Sequence, residues 1–261
     1  MEETQRIQSP SSILTYKQCP RKYYHQYIEK LKTKPSIHLI RGRIVHTVLE
    51  EFFKINIDSL SEDFKDELKI IIQDNLNTTW ENNKEELNSL GLTEQELKFY
   101  KSESEGMVFN WITRFTEKIQ TKQDFKKLKP ITELHISSES LRTRGFIDSI
   151  QNIDNSIIIT DYKTSKKFKI TNDYKLQLAI YALLYKKKYG ITPSKVGIDF
   201  LKHDEVHIDV NQELLDLAKK EIELIHLRTI SKLQEDYTKK PSPLCKWSTG
   251  QCDFYEICKP F

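Results

Sequence analysis

From residue 131 to residue 163 the hydrophobic period of the chain becomes two, and its apolar runs end in charge. The stretches "ITELHISS", "LRTRGFIDSI" and "SIIITDYKT" alternate as strands do, and "QNIDN" supplies turn chemistry between the last two, so a β-meander is the simplest fold. In a strand, residues two apart share a face. Asp161 and Lys163 are therefore expected beside Ile157 and Ile159, and Asp148 beside Phe146 and Ile150, with the hairpin bringing Asp148 near Asp161. Two desolvated carboxylates side by side are costly unless something neutralises them, and a divalent cation does so directly. Mg²⁺ prefers oxygen ligands and keeps water-filled positions, which suits carboxylates meeting at a cleft. Lys163, a compact point charge, suits holding an attacking water or stabilising charge on a phosphate. The pattern fits metal-assisted phosphodiester hydrolysis. A plainer reading stands beside it, in which strand-end aspartates serve turns and "KTSKK" is a solvated basic run.

The flanks are helical. Ser9 and Pro10 open a helix through "SSILTYKQCPRKYYHQYI", which Pro20 kinks or divides. "RGRIVHTVLEEFFK" carries Val45, Val48, Leu49 and Phe52 at helical spacing, with His46 and Glu50 on one side. Residues 55–130 read as a charged helical insertion with a stripe of Leu68, Ile71, Ile72, Leu76 and Trp80. After the meander come a helix in "DYKLQLAIYALLYKKKYG", two strands in "VGIDFLKHDEVHIDV" and a long amphipathic helix in "NQELLDLAKKEIELIHLRTISKL". Helix, insertion, strands, helix, strands, helix is an α/β or α+β order with a mixed sheet. The N-terminus has no apolar h-region and no run approaches a membrane span, so a soluble cytoplasmic protein is expected. A net charge of +3, from 41 basic against 38 acidic residues, means that any nucleic-acid-binding surface must be local.

The segments "GFID", "DYKT" and "QLAIY", with "GRIVHTVLE" and "CPRKYYHQYI" upstream, resemble the motifs of the RecB-like branch of the PD-(D/E)xK nuclease superfamily, which includes RecB and AddB nuclease domains and CRISPR-associated exonucleases. The resemblance covers residues 9–53 and 132–261 and leaves the helical block outside it. It implies an α/β fold with a restriction-endonuclease-like core, a central mixed β-sheet flanked by helices. The chain is then one nuclease domain over 1–261 with a helical insertion at 55–130 and a C-terminal segment, 239–261, joined to Cys19. Carried over residue by residue, it implies that His46, Asp148, Asp161 and the backbone carbonyl of Tyr162 hold Mg²⁺ or Mn²⁺. Lys163 becomes the catalytic lysine, and Gln177 and Tyr181 face the active site or the nucleic acid. Glu133, in an early strand, reads first as a strand-edge charge and second as a further metal ligand; Glu50 reads first as paired with solvent and second as orienting the His46 imidazole.

Cys19 stands alone, whereas Cys245, Cys252 and Cys258 crowd the last seventeen residues. Four thiols without a secretory signal suit a cluster or a zinc site better than disulfides, and thiolates alone do not separate iron–sulfur from Zn²⁺. The resemblance implies a [4Fe-4S] cluster clamping the chain ends. It also implies C-x2-C-x5-C spacing, while this chain has C-x6-C-x5-C, with Thr249 where the family cysteine would fall. The expected function is a metal-dependent deoxyribonuclease, an exonuclease on single-stranded DNA or DNA ends in repair, recombination or CRISPR adaptation, with helicase or adaptation proteins as partners. The alternative is a catalytically silent iron–sulfur DNA-binding subunit of such a complex. Arg21, Lys22, Arg41, Arg43, Lys166, Lys167 and Lys186 to Lys188 are the expected phosphate contacts, with Tyr181 and the aromatics of "KYYHQY" available for base stacking.

Overall fold

The computed structural model describes residues 6–247 and 250–260. Ser9 caps α1 (Pro10–Gln18) by accepting from the Ser12 N–H, while the Ser12 hydroxyl oxygen accepts from the Ser9 N–H. Pro20 divides the expected helix as its missing N–H requires: α2 (Pro20–Tyr23) starts afresh and passes into one π-turn, Tyr24–Ile28. Ser36 caps α3 (Ile37–Phe52), the helix of His46.

The insertion folds as α4 (Phe64–Asn82), α5 (Lys84–Asn88), α6 (Glu94–Glu117) and α7 (Lys122–Leu128). Leu68, Ile72, Leu76 and Trp80 of the expected stripe are buried; Ile71 is only partly so. These helices are more intimate with the site than the word insertion suggests. Phe52 of α3 packs edge-on against Trp111 at 5.2 Å and Phe125 at 5.8 Å, and Trp111 stacks on Phe115 at 5.3 Å. One hydrophobic cluster runs from α3 through α4 and α6 to Tyr162. Each such ring contributes about 1.5–3 kcal/mol by leaving water, so the block holds α3 in place.

The sheet has strand order β1-β2-β3-β4-β5, from β1 (Ile131–Ser138), β2 (Thr143–Ile153), β3 (Ser156–Lys163), β4 (Lys195–Phe200) and β5 (Glu205–Asp209). All neighbours are antiparallel except β3 and β4. A parallel pair needs a crossover, and α8 (Asn172–Tyr189) provides it. The β2–β3 turn is Asp154-Asn155, both at positive φ, as a two-residue hairpin loop demands. Nearly every residue from Leu176 to Tyr185 is buried, because α8 lies between the sheet, α1 and α9 (Gln212–Arg228). The pattern that opened α9 runs on to Leu233, but the helix stops at Arg228. Thr229 leaves helical geometry and turns its hydroxyl back to the Ile225 carbonyl.

The two chain ends meet. Tyr237 stacks on Tyr23 at 6.1 Å and touches Tyr24 at 5.1 Å, and Arg21 donates to the Tyr237 carbonyl at 2.8 Å. Beyond it lie a short hairpin, β6 (Lys246–Trp247) and β7 (Gly250–Gln251), and α10 (Tyr255–Cys258). Among the described residues, no helix is long and apolar enough to cross a membrane.

Candidate active site

Asp148, Asp161 and Lys163 come together where the end of β3 leaves the middle of β2, with His46 arriving from α3 and Gln177 from α8. Asp148 Oδ2 accepts the Tyr162 N–H at 2.7 Å, which pins its carboxylate at the point where β2 and β3 part. Its Oδ1 lies 3.4 Å from His46 Nδ1, and the His46 ring stands edge-on to Tyr162 at 5.9 Å. Asp161 Oδ1 accepts from Gln177 Nε2 at 2.8 Å, and the same nitrogen donates to the Tyr181 hydroxyl at 3.0 Å. Lys163 Nζ sits 2.5 Å from Asp161 Oδ2 as an ion contact, leaving that buried oxygen without an aligned hydrogen-bond donor.

The alternation that predicted this site breaks inside it. Ile147 and Ile150, three residues apart, pack in the same cluster beneath α8. Asp148 keeps company with Phe146 in the cleft beside His46, so the expectation that it shares a face with Ile150 is corrected. The irregularity falls opposite Glu133, which holds a φ of +48°, rare for any residue but glycine. The β1–β2 register pairs Thr132 with Ser149 and Leu134 with Ile147, which sets Glu133 against Asp148. Glu133 lies on the edge strand of the sheet, yet ligand atoms of His46, Glu133 and Asp148 all lie within 4.8 Å of one another. Aligning "ITELHISS" against "RGFIDSI" in hairpin register is the signal that favours the second of its two sequence readings, a further metal ligand.

Electrostatics record the crowding. Burial, with help from Asp148, pushes the Asp161 carboxyl up to about 6 despite the lysine beside it. Burial, and then Asp148, also raises Glu133. Burial pulls hardest on His46 and Lys163 and would lower both, yet the adjoining carboxylates outweigh it and both are raised. Glu133, Asp148 and His46 form a donor set of two carboxylates and an imidazole, with Asp161, ion-paired to Lys163, beside it. That set fits Mg²⁺ or Mn²⁺.

Several expected DNA contacts are otherwise engaged. Tyr181 is 6% exposed behind Gln177, and Tyr23 and Tyr24 are buried, so these rings offer no open stacking face. Arg43 is held by Asn83 and Glu86, and Arg41 is buried against Glu103. Lys166, its side chain 77% exposed, reaches Glu103 only at 3.9 Å, while Lys186 to Lys188 close α8 ahead of a Gly190 cap. Glu50 pairs with Lys54 at 3.1 Å.

The four cysteines, Cys19 from one end of the chain and three from the other, line one cavity together with Lys22, His25 and Phe254. The lengthened C-x6-C spacing has a physical cause. Lys246 pairs with Gln251 and Trp247 with Gly250, and Cys252 N–H donates to the Cys245 carbonyl at 2.9 Å, so the extra residues form a hairpin that sets Cys245 across from Cys252. Ser248 and Thr249 lie outside the described residues. All four thiols are free, and among the described residues the ligand atoms that gather within 4.8 Å of one another are those of His46, Glu133 and Asp148, with no cysteine among them.

The sequence profile of the PD-(D/E)XK nuclease superfamily matches residues 8–259, helical insertion included. Among curated proteins, the Gene 69 protein of Mycobacterium phage L5 is 26% identical over 224 residues, covering 75% of this chain and 76% of that protein. The Gene 69 protein of Mycobacterium phage D29 is 25% identical over 217 residues, covering 75% and 74%. Among solved structures, a "putative exonuclease" from Eubacterium rectale superposes with a TM-score of 0.54 at 14% identity, over 97% of this chain and 92% of that one, a likeness of fold.

Proposed function

This chain belongs to the PD-(D/E)XK nuclease superfamily, and from that premise we propose that it is a metal-dependent deoxyribonuclease of the RecB-like branch, hydrolysing phosphodiester bonds as an exonuclease on single-stranded DNA or DNA ends. The observation that carries this reading is the placement of Asp161 between Lys163 and Gln177, with Asp148 and His46 facing it. His46, Asp148, Asp161 and the Tyr162 carbonyl would hold Mg²⁺ or Mn²⁺, with Glu133 as a further carboxylate. When bound, the ion supplies charge neutralisation and lowers the pKa of attacking water.

The chain's own groups do the rest. Lys163 Nζ, kept charged by its carboxylate neighbours, donates to a non-bridging phosphate oxygen as negative charge builds there. Gln177 fixes the rotamer of Asp161, and the Tyr181 hydroxyl fixes Gln177 in turn. Asp148, anchored on the Tyr162 N–H, orients the His46 ring.

The same reading assigns Cys19, Cys245, Cys252 and Cys258 a [4Fe-4S] cluster as a staple between the chain ends, with Zn²⁺ as the other metal such thiolates accept. It sets the protein in the cytoplasm, in repair, recombination or CRISPR adaptation, alongside a helicase or adaptation proteins. The test is a time course on oligonucleotides labelled at either end, with Mg²⁺, Mn²⁺ or EDTA. Laddering that needs metal and disappears in Asp161→Asn supports the reading. Intact substrate with every metal, or equal cutting by the variant, overturns it.

A further inference from the structure

His25 is placed by an unusual piece of backbone. It lies in the π-turn Tyr24–Ile28, where the Glu29 N–H reaches back to the Tyr24 carbonyl at 3.0 Å. Single π-turns reorient a side chain relative to an α-helix and recur at functional sites. Here the turn leaves the imidazole 1% exposed, packed 5.4 Å from the Phe254 ring. Glu29 Oε2 lies 2.5 Å from Nδ1. Nε2 is buried and has no hydrogen-bond partner, although His25 lines the cavity shared by Cys19, Cys245, Cys252 and Cys258.

A buried nitrogen left unsatisfied is costly unless a group from outside the chain completes it. A carboxylate on one imidazole nitrogen, with the other nitrogen bare beside thiols, is how ligating histidines are held. The carboxylate fixes the tautomer and raises the basicity of the free nitrogen. We propose that His25 Nε2 is a fifth donor of the cysteine site, a metal ligand that can take the place of Cys245. The proposal rests on the reading that the cysteines hold an iron–sulfur cluster or zinc; both accept imidazole in exchange for thiolate. Cys245 is the exchangeable member because it rides on the β6–β7 hairpin, whose Leu244 and Trp247 are exposed by 58% and 48%. His25 is held by the buried π-turn and by Glu29. Packing on every side therefore fixes His25 more firmly than Cys245.

The experiment uses the full chain purified without oxygen, as wild type, Cys245→Ser, His25→Gln and the double variant. Iron, sulfide and zinc contents and the visible spectrum are read, and Co²⁺ is added to metal-stripped protein as an independent probe. Each single variant should retain metal to within about twofold of wild type with an altered spectrum, while the double variant should bind at least about tenfold more weakly. Loss of metal from Cys245→Ser as complete as from Cys19→Ser overturns the proposal, and so does a double variant that binds as well as Cys245→Ser. Should Cys245→Ser melt early, alkylation of loaded wild type and His25→Gln decides. Cys245 should react faster than the other three thiols in wild type and slow to their rate in His25→Gln; equal rates in both proteins overturn the proposal. A wild type that takes up neither cluster, zinc nor cobalt removes the metal reading itself, before any variant is compared.

Discussion

Lys163 Nζ and Asp161 Oδ2 stand 2.5 Å apart on one face of β3, Asp161 almost wholly buried and Lys163 largely so. A charge pair taken out of water is worth keeping where the lysine has a second task and the carboxylate a second partner.

Lys163→Met, which keeps the stem and removes the charge, should reduce cleavage by about 10²-fold or more while leaving single-strand affinity in Ca²⁺ within a few-fold. Single-turnover rates at saturating metal check this. A variant that cuts at the wild-type rate would show that the lysine serves only to neutralise Asp161.

Gln177 touches Asp161 and Tyr181 but holds no charge of its own. Gln177→Leu should raise the Mg²⁺ concentration for half-maximal cleavage by about 10–100-fold, because an unheld carboxylate must be ordered at each binding event. The melting temperature should hardly move. A lowered rate with an unchanged metal requirement would place Gln177 on the DNA instead.

The glycine of "GFID" makes room for α8. A Cβ on Gly145 would lie 2.9 Å from Tyr181 Cε1. Gly145→Ala should therefore destabilise the fold by about 1–3 kcal/mol, as over-packed cores do. Urea unfolding should recover part of that loss in Gly145→Ala/Tyr181→Leu, a coupling of about 0.5–3 kcal/mol. Simple additivity would mean that the glycine matters for its backbone alone.

Asp199 is buried beneath Arg114, and burial lifts its carboxyl to about 6 even though the guanidinium lies 2.6 Å away. The unfolded chain ionises this group near 3.8. Its contribution is thus fully favourable below pH 3.8 and is lost as the pH rises through about 6. Wild type should lose about 3 kcal/mol relative to Asp199→Asn across that window, on top of a pH-independent difference from the lost ion pair. Denaturant midpoints of both proteins from about pH 3 to 7.5 measure it, and parallel curves would refute the assignment.

DNA affinity should fall with salt on a slope of about −0.7 per phosphate neutralised, and Lys166→Ala should flatten that slope by about one such step. Arg43→Ala, whose guanidinium is already tied to Glu86, should leave it unchanged. Titrations of a labelled single strand in Ca²⁺ distinguish the two.

Local chemistry settled what a one-dimensional reading can settle. Period-two alternation marked β1 to β3, Ser9-Pro10 marked the start of α1, Pro20 its break, and a charged residue at the end of each apolar run marked the site. Those signals act over a few residues, so they are written in the order of the chain. Glu133 was different. Its partner is Asp148, fifteen residues on, and only hairpin register and a left-handed backbone at residue 133 bring the two carboxylates together. Which cations remain free was likewise a tertiary matter, since Arg41 and Arg43 are spoken for by acids from the helical block. The fold alone also set His25 among cysteines found at both ends of the chain, because only packing decides which distant side chains share a cavity.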